Sequence, residues 1–230
     1  MVPGKYKLPR FEWLRTLNST PYNSLYFSDP TLLLNEELLL AWYVGWADMD
    51  LYPLLAEWVN KTVDALRVKH IVILGSSGGG FASLQLAPYV PYSVALPFSP
   101  QTAISRYTVN GSTTQQKRFV DHVMPHLAPD GFDKLPAGDW SVPLGDRASA
   151  VRRYTKPQQT RVLYVQNKND VSHYKDHYTP FKEVIDTSPN RERIRFKEYH
   201  GPERHNPPQK NIFLECLSEA VSWSQDPFAH

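Results

Sequence analysis

"HIVILGSSGGGFASLQLA", residues 70–87, is the stretch whose reading decides the fold. Ile71 to Leu74 is a short apolar run rich in β-branched residues, as a buried strand reads, and "GGFASLQLA" is helix-like until Pro88 stops it. Between them four glycines surround two serines. Three chemistries use a glycine-rich turn between a strand and a helix. A phosphate-binding P-loop needs Lys followed by Ser or Thr at the helix start, where this chain has Phe81 and Ala82. A dinucleotide fingerprint needs glycines at relative positions one, three and six, and the near fit, Gly78 and Gly80, ends on Ser83. The pattern G-x-S-x-G fits in one frame, Gly75-Ser76-Ser77-Gly78-Gly79, because a frame centred on Ser76 would need glycine at Leu74. Ser77 is therefore the candidate nucleophile. A serine lifted off a strand end on so sharp a turn needs very small residues two positions before and after it, and Gly75 and Gly79 supply them.

Working outward, the chain alternates strand and helix signals. "ELLLAWYVG" (37–45) carries seven successive apolar residues and reads as a strand buried on both faces. Apolar residues from Leu51 to Leu66 recur at helical spacing, with Asp50 placed to cap the start and Pro53 tolerable in the first turn. Further strands read at 92–98 and 161–167, and "RIRFKEY" (193–199) alternates apolar and charged residues as an edge strand does. The last helix opens near Asn206 and Pro207 and runs through Ile212, Cys216 and Ala220. The expected fold is α/β, a mainly parallel central sheet with helices on both faces, in a single domain over 1–230. Residues 101–158, with one helical pattern in "TTQQKRFVDHVMPHL", form an insertion between sheet strands: a cap or lid over a site, or a long structural crossover.

Composition narrows the partners. The 230 residues, 41% of them hydrophobic, suffice for one substantial core. A balance of 25 basic and 23 acidic residues makes no global field, so no nucleic-acid partner is expected. No stretch approaches membrane-spanning length, and the start, "MVPGKYKLPRFEWLR", lacks the apolar core of a signal peptide. No membrane insertion is expected. The single cysteine, Cys216, cannot close an internal disulfide and reads as a buried thiol, and the expected location is cytoplasmic.

With its flanking strand and helix, the Gly75–Gly79 turn resembles the nucleophile elbow of the α/β-hydrolase superfamily, and the element order from about residue 22 onward is compatible with that fold. "GSSGGGFASLQLA" followed by "ALPFSPQT" is also similar to hydrolase-like proteins of bacterial surface-glycan synthesis systems. The resemblance implies the chain order serine, acid, histidine. It puts the acid at Asp170, in "YVQNKNDVSHY" just past a strand; by itself this residue also reads as the cap of the next helix. The base lies in "EYHGPERHNPPQ", where His205, immediately before the expected helix start, is favoured over His200. The implied oxyanion donors are the backbone N–H of Gly78 and one from "VGWADMD", assigned to Trp46; a Gly-Trp pair stands where the family commonly has a run of glycines.

Other clusters compete for attention. His122 and His126, and His173 and His177, stand four apart as metal-ligand pairs do, with Asp170 and Asp176 beside the second pair. The glutamate of zinc-protease helices is missing and Pro125 interrupts the first pair, so no metal and no cofactor are expected, and His173 reads instead as support for Asp170 or pocket lining. His70 opens the elbow strand at its far end and reads as structural, and His230 is terminal. Arg147, Arg152, Arg153, Lys156 and Arg161 make either a solvated face or an anion-facing patch, and Trp42, Trp46 and Trp140 either core or sugar-stacking surfaces. The expected function is a serine hydrolase cleaving a carboxylic ester of a small molecule or glycan through an acyl-enzyme. The alternatives are acyl transfer to a glycan hydroxyl and a catalytically silent interaction module.

Overall fold

The computed structural model describes residues 7–225. Residues 1–6 of the N-terminal stretch, and His230, lie outside them. A short helical turn, Leu14–Leu17 (α1), precedes an irregular stretch and a small antiparallel hairpin, Gly45–Trp46 (β1) with Met49–Asp50 (β2). Leu51–Leu66 (α2), Val72–Ser76 (β3), Gly78–Leu86 (α3) and Val94–Phe98 (β4) follow. The excursion after β4 contains Thr114–Val123 (α4) and Ala150–Arg153 (α5). The chain then returns through Arg161–Asn167 (β5), Val171–His173 (α6), Thr179–Thr187 (α7), Ile194–Tyr199 (β6) and Lys210–Ser224 (α8). The sheet has the order β3-β4-β5-β6, every pair parallel, with Leu74 opposite Leu96 and Val162 opposite Ile194.

The apolar runs are continuous because both faces of the sheet are covered. Val94, Leu96 and Phe98 of β4 and Leu163 and Val165 of β5 pack on one side with Phe213, Cys216, Leu217 and Ala220 of α8. Their alternates Ala95, Val162 and Tyr164 pack on the other side with Leu84 of α3 and Phe181 and Ile185 of α7. Burial pushes the Cys216 thiol up to about 11, so it is inert packing at neutral pH. The α2 start is as expected: the Asp50 side chain accepts the Tyr52 N–H at 3.0 Å. Among the described residues no helix is long and apolar enough to cross a membrane.

Two expectations need correction. Residues 37–44 are not a strand, although Ala41, Trp42 and Val44 are fully buried, and only Gly45 pairs, in the two-residue β1. Trp42 and Tyr43 adopt left-handed φ of 55° and 58°, which breaks an extended run. Side chains satisfy this backbone in place of a neighbouring strand: Asp29 Oδ2 accepts the Tyr43 N–H at 2.7 Å, and the Tyr52 hydroxyl donates to the Trp42 carbonyl. The last helix begins at Lys210, three residues later than the sequence implies. Consecutive Pro207 and Pro208 hold the residue before each proline extended, so the helix starts beyond them. The excursion 101–158 is tied into the fold by Phe119, Val120, Val123 and Met124, which join Trp42, Tyr52 and Phe81 in one apolar cluster.

Candidate active site

Ser77 stands between β3 and α3 with φ 56° and ψ −117°, a combination that costs a non-glycine residue about 1–3 kcal/mol. Hydrogen bonds on both sides hold it there: its N–H donates to Phe98 O at 3.0 Å and its carbonyl accepts from Phe81 N–H at 2.9 Å. The bend closes so tightly that a Cβ on Gly75 would fall 2.3 Å from the carbonyl carbon and oxygen of Gly79. Gly79 itself has open space where its Cβ would be, so the crowding falls on Gly75, and on Gly80 against Pro100, rather than evenly on Gly75 and Gly79. Behind the elbow, Trp13 Nε1 donates to Ser76 Oγ at 3.2 Å while its ring stacks on Phe213.

Asp170 leaves β5 on the turn "NKND" and caps α6, accepting the His173 N–H at 3.3 Å. The same carboxylate receives two imidazoles. His205 Nδ1 lies 2.5 Å from Oδ2, and His173 Nδ1 lies 3.3 Å from Oδ1, within ion-pair distance but off the line of a hydrogen bond. The two rings stack at 3.7 Å with 8° between their planes. Burial would raise the Asp170 carboxyl, but its contacts with His173 and His205 outweigh this and hold it well below the usual carboxylate range. His173 is pulled below the ordinary imidazole value by burial, against the pull of Asp170, and His177 falls further still, chiefly by burial.

Loop-to-loop hydrogen bonds set His205 over Asp170. Asn167 Nδ2 donates to Pro202 O at 2.8 Å, its Oδ1 accepts the Gly201 N–H at 2.8 Å, and Asn169 Nδ2 donates to Gly201 O at 2.6 Å. His200, the competing base, points to Asn169 instead, 3.4 Å from its Oδ1. Neither asparagine stands out in the sequence beyond marking a turn. Gln101, a residue that sequence reasoning passed over, is fully buried just beyond β4 and donates from Nε2 to Ser77 Oγ at 2.8 Å, with His173 Nε2 2.7 Å from the same nitrogen. This chain of contacts puts Ser77, Gln101, His173, His205 and Asp170 in one cluster at the C-terminal ends of the strands. Ser77 Oγ and His205 are not themselves hydrogen-bonded; the stacked His173 ring lies between them in the contact chain.

Gly78 opens α3 beneath Ser77, and Leu40 packs on it, its Cδ1 2.3 Å from where a Gly78 Cβ would be. Trp46 lies in the β1–β2 hairpin, where Arg147 reaches the carbonyls of Trp46 at 3.5 Å, Met49 at 3.1 Å and Ala47 at 3.3 Å. The rest of the basic run is also engaged. Arg152 pairs with Asp139, Lys156 with Asp146, Arg153 with Gln85, and buried Arg161 with the Trp223 carbonyl. Trp42 is core, edge-on to Tyr107 and Phe119, and Trp140 donates to Gln116. His70 bonds the Ser224 carbonyl at 3.0 Å, far from the elbow, while His122 lies beside Asn35 and Glu37.

One ligand atom each from Asp170, His173 and His205 can come within 4.8 Å of the others, the spacing of a metal site. Stacked, nearly parallel rings that both turn Nδ1 to one carboxylate send their lone pairs side by side rather than converging, which is not the tetrahedral arrangement zinc takes. His177 is committed elsewhere, its Nδ1 accepting the Thr102 N–H at 3.2 Å.

No protein-family model matches the sequence, and no curated protein matches it either. Solved structures do. The capsule O-acetyltransferase of Neisseria meningitidis serogroup A, as a histidine-to-alanine mutant in complex with CoA, superposes with a TM-score of 0.58 at 13% identity, over 93% of this chain and 78% of that one. A puromycin-hydrolyzing peptidase of Mycobacterium tuberculosis gives a TM-score of 0.52 at 13% identity, over 76% of this chain but 25% of its own. At such identity the likeness is one of architecture. Parallel sheet, helices on both faces, and a serine elbow between strand and helix together give this chain the α/β-hydrolase fold.

Proposed function

We propose that the chain is a serine enzyme that handles acyl groups, cleaving a carboxylic ester of a small molecule or glycan through an acyl-enzyme. Ser77 attacks the carbonyl and passes its proton to His205 Nε2. Asp170, on His205 Nδ1, fixes that tautomer and stabilises the imidazolium. The oxyanion is held by Gly78 N–H at the start of α3 and by a second N–H from the loop 44–50, Trp46 being the assigned donor. His205 then protonates the leaving alcohol, and water, activated by the same imidazole, releases the acid. The excursion that opens with Gln101 is read as the cover of this site.

The observation that supports the reading is a strained Ser77 at a helix start linked, through Gln101 and His173, to an Asp170–His205 pair brought from two separate loops. A second reading shares every step up to the acyl-enzyme and replaces water with a glycan hydroxyl; the architectural likeness to a capsule O-acetyltransferase favours testing it. Turnover of an aryl acetate, with products analysed in the presence and absence of an oligosaccharide acceptor, separates the two. Free acetate in both reactions supports hydrolysis, and acceptor-bound acetate supports transfer. Ser77→Ala should lose on the order of 10⁴-fold in kcat; turnover equal to wild type would overturn both readings, and a folded wild-type protein with no turnover at all would favour a silent module.

A further inference from the structure

The steps above use one of the two imidazoles that Asp170 holds, and leave the second unexplained. His173 is 4% exposed, and its Nδ1 faces a carboxylate 3.3 Å away. A bare lone pair there would oppose negative charge, so Nδ1 carries the hydrogen and Nε2 carries the lone pair. That lone pair faces Gln101 at 2.7 Å, which requires the amide nitrogen, not its oxygen, at the bridging position. The amide thus spends one hydrogen on His173 and the other on Ser77 Oγ at 2.8 Å. Thr102, next in the chain, is pinned as well: its N–H donates to His177 Nδ1 and its hydroxyl to the His177 carbonyl at 2.9 Å. The Gln101 amide is thus held through its nitrogen, while its buried Oε1 accepts no hydrogen bond from the described residues.

We propose that Gln101 is a catalytic residue and His173 the residue that positions it, so that Asp170 serves two arms: His205 for proton transfer, and His173–Gln101 for orienting and stabilising the serine oxygen. A donor lodged on one lone pair of Ser77 Oγ keeps the serine's own O–H from pointing at Gln101 and leaves it free for the base. When the acyl–Oγ bond breaks, the electron pair returns to Oγ and the proton comes from His205; the Gln101 N–H stabilises the charge that develops on Oγ in between. His173 does not act as a second base, because its accepting nitrogen is occupied.

The inference rests on Ser77 being the nucleophile, and the test separates the two claims. The rate at which a fluorophosphonate labels Ser77 is measured together with kcat and KM on an aryl ester. Gln101→Glu, nearly isosteric, replaces the donor with an acceptor and should slow labelling and kcat by about 10²-fold with little change in KM, the cost of one lost donor at a reacting oxygen. Gln101→Met, of similar length and without a hydrogen-bonding group, carries the same expectation should Gln101→Glu fail to fold. His173→Leu should slow labelling, and His173→Gln, which keeps an acceptor for the Gln101 amide, should recover most of the loss; a merely packing role would show no such recovery. Folded Gln101 variants labelled at the wild-type rate would overturn the inference while leaving Ser77 in place. A wild-type protein that is not labelled at Ser77 would overturn the nucleophile assignment itself.

Discussion

The two sides of Asp170 are built to different standards. On one side, His173, Gln101 and the Gly75 bend lie buried in the protein interior. On the other, His205 rides an exposed loop with its side chain 32% accessible, reached by solvent and by anything that binds there. The same carboxylate and the same ring type thus take different parts, decided by burial and by what faces Nε2. A buried imidazole with its lone pair engaged can hold a geometry, whereas an imidazole at the surface can accept and release a proton. Changes on the open side should therefore cost rate, and changes on the buried side should cost stability as well.

The largest contrast is at His205. His205→Ala should lower kcat by on the order of 10⁴-fold while leaving unfolding free energy within about 1 kcal/mol of wild type, because water replaces the ring at Asp170; paired kinetics and urea denaturation check this. Stability loss in step with the rate loss would erase the distinction between the two sides. On the buried side, Gly75→Ala drives a methyl into the Gly79 backbone and should destabilise by on the order of 3 kcal/mol. Gly79→Ala enters open space at the start of α3 and should be neutral or gain up to about 1 kcal/mol.

Acid sharpens the comparison further. His173 and His177 are held neutral in the fold with pKa values below the ordinary value of about 6.5. The unfolded chain binds more protons in that window, so their contribution is complete above about pH 6.5 and is lost as pH falls toward their folded values, by up to about 1.4 kcal/mol per pH unit for each. Asp170, held low, gives way only in stronger acid. His177→Gln should flatten the upper part of this decline in a pH series of denaturant melts; an unchanged slope would mean that the buried ring is not the acid-sensitive group. The smallest effect is expected at His200→Ala, which should stay within about twofold of wild-type kcat, since a surface contact to Asn169 is all it loses.

Much of this was legible in the residue pattern. The strands over 72–76, 94–98 and 161–167 announce themselves as apolar runs, because a parallel sheet is buried on both faces, and the charged alternation of 194–199 marks the edge. The same logic misreads 37–45, since apolarity records burial and not strand pairing, and nothing local reveals that Asp29 and Tyr52 will satisfy that backbone. The G-x-S-x-G spacing marks Ser77, but treats Gly75 and Gly79 alike where the packing does not. The pattern does not single out Gln101, although it lies in the stretch "ALPFSPQT"; a further signal is its place just beyond the C-terminal end of a central strand, where open α/β sheets gather their ligand-binding groups. The spacing of His173 to His177 marks it in the sequence, which reads it as support for Asp170 or pocket lining; its contact with Asp170 follows from one turn of helix after the cap.

The central claim is that Ser77 Oγ forms a covalent bond to an acyl group. Rapid mixing with an aryl acetate, acid quench and peptide mapping by mass spectrometry test it directly. The account predicts a stoichiometric burst of phenol with an acetyl group on the peptide carrying Ser77, absent in Ser77→Ala. Steady turnover by folded protein without any burst-phase adduct, or an acetyl group mapped to a different side chain, would contradict it.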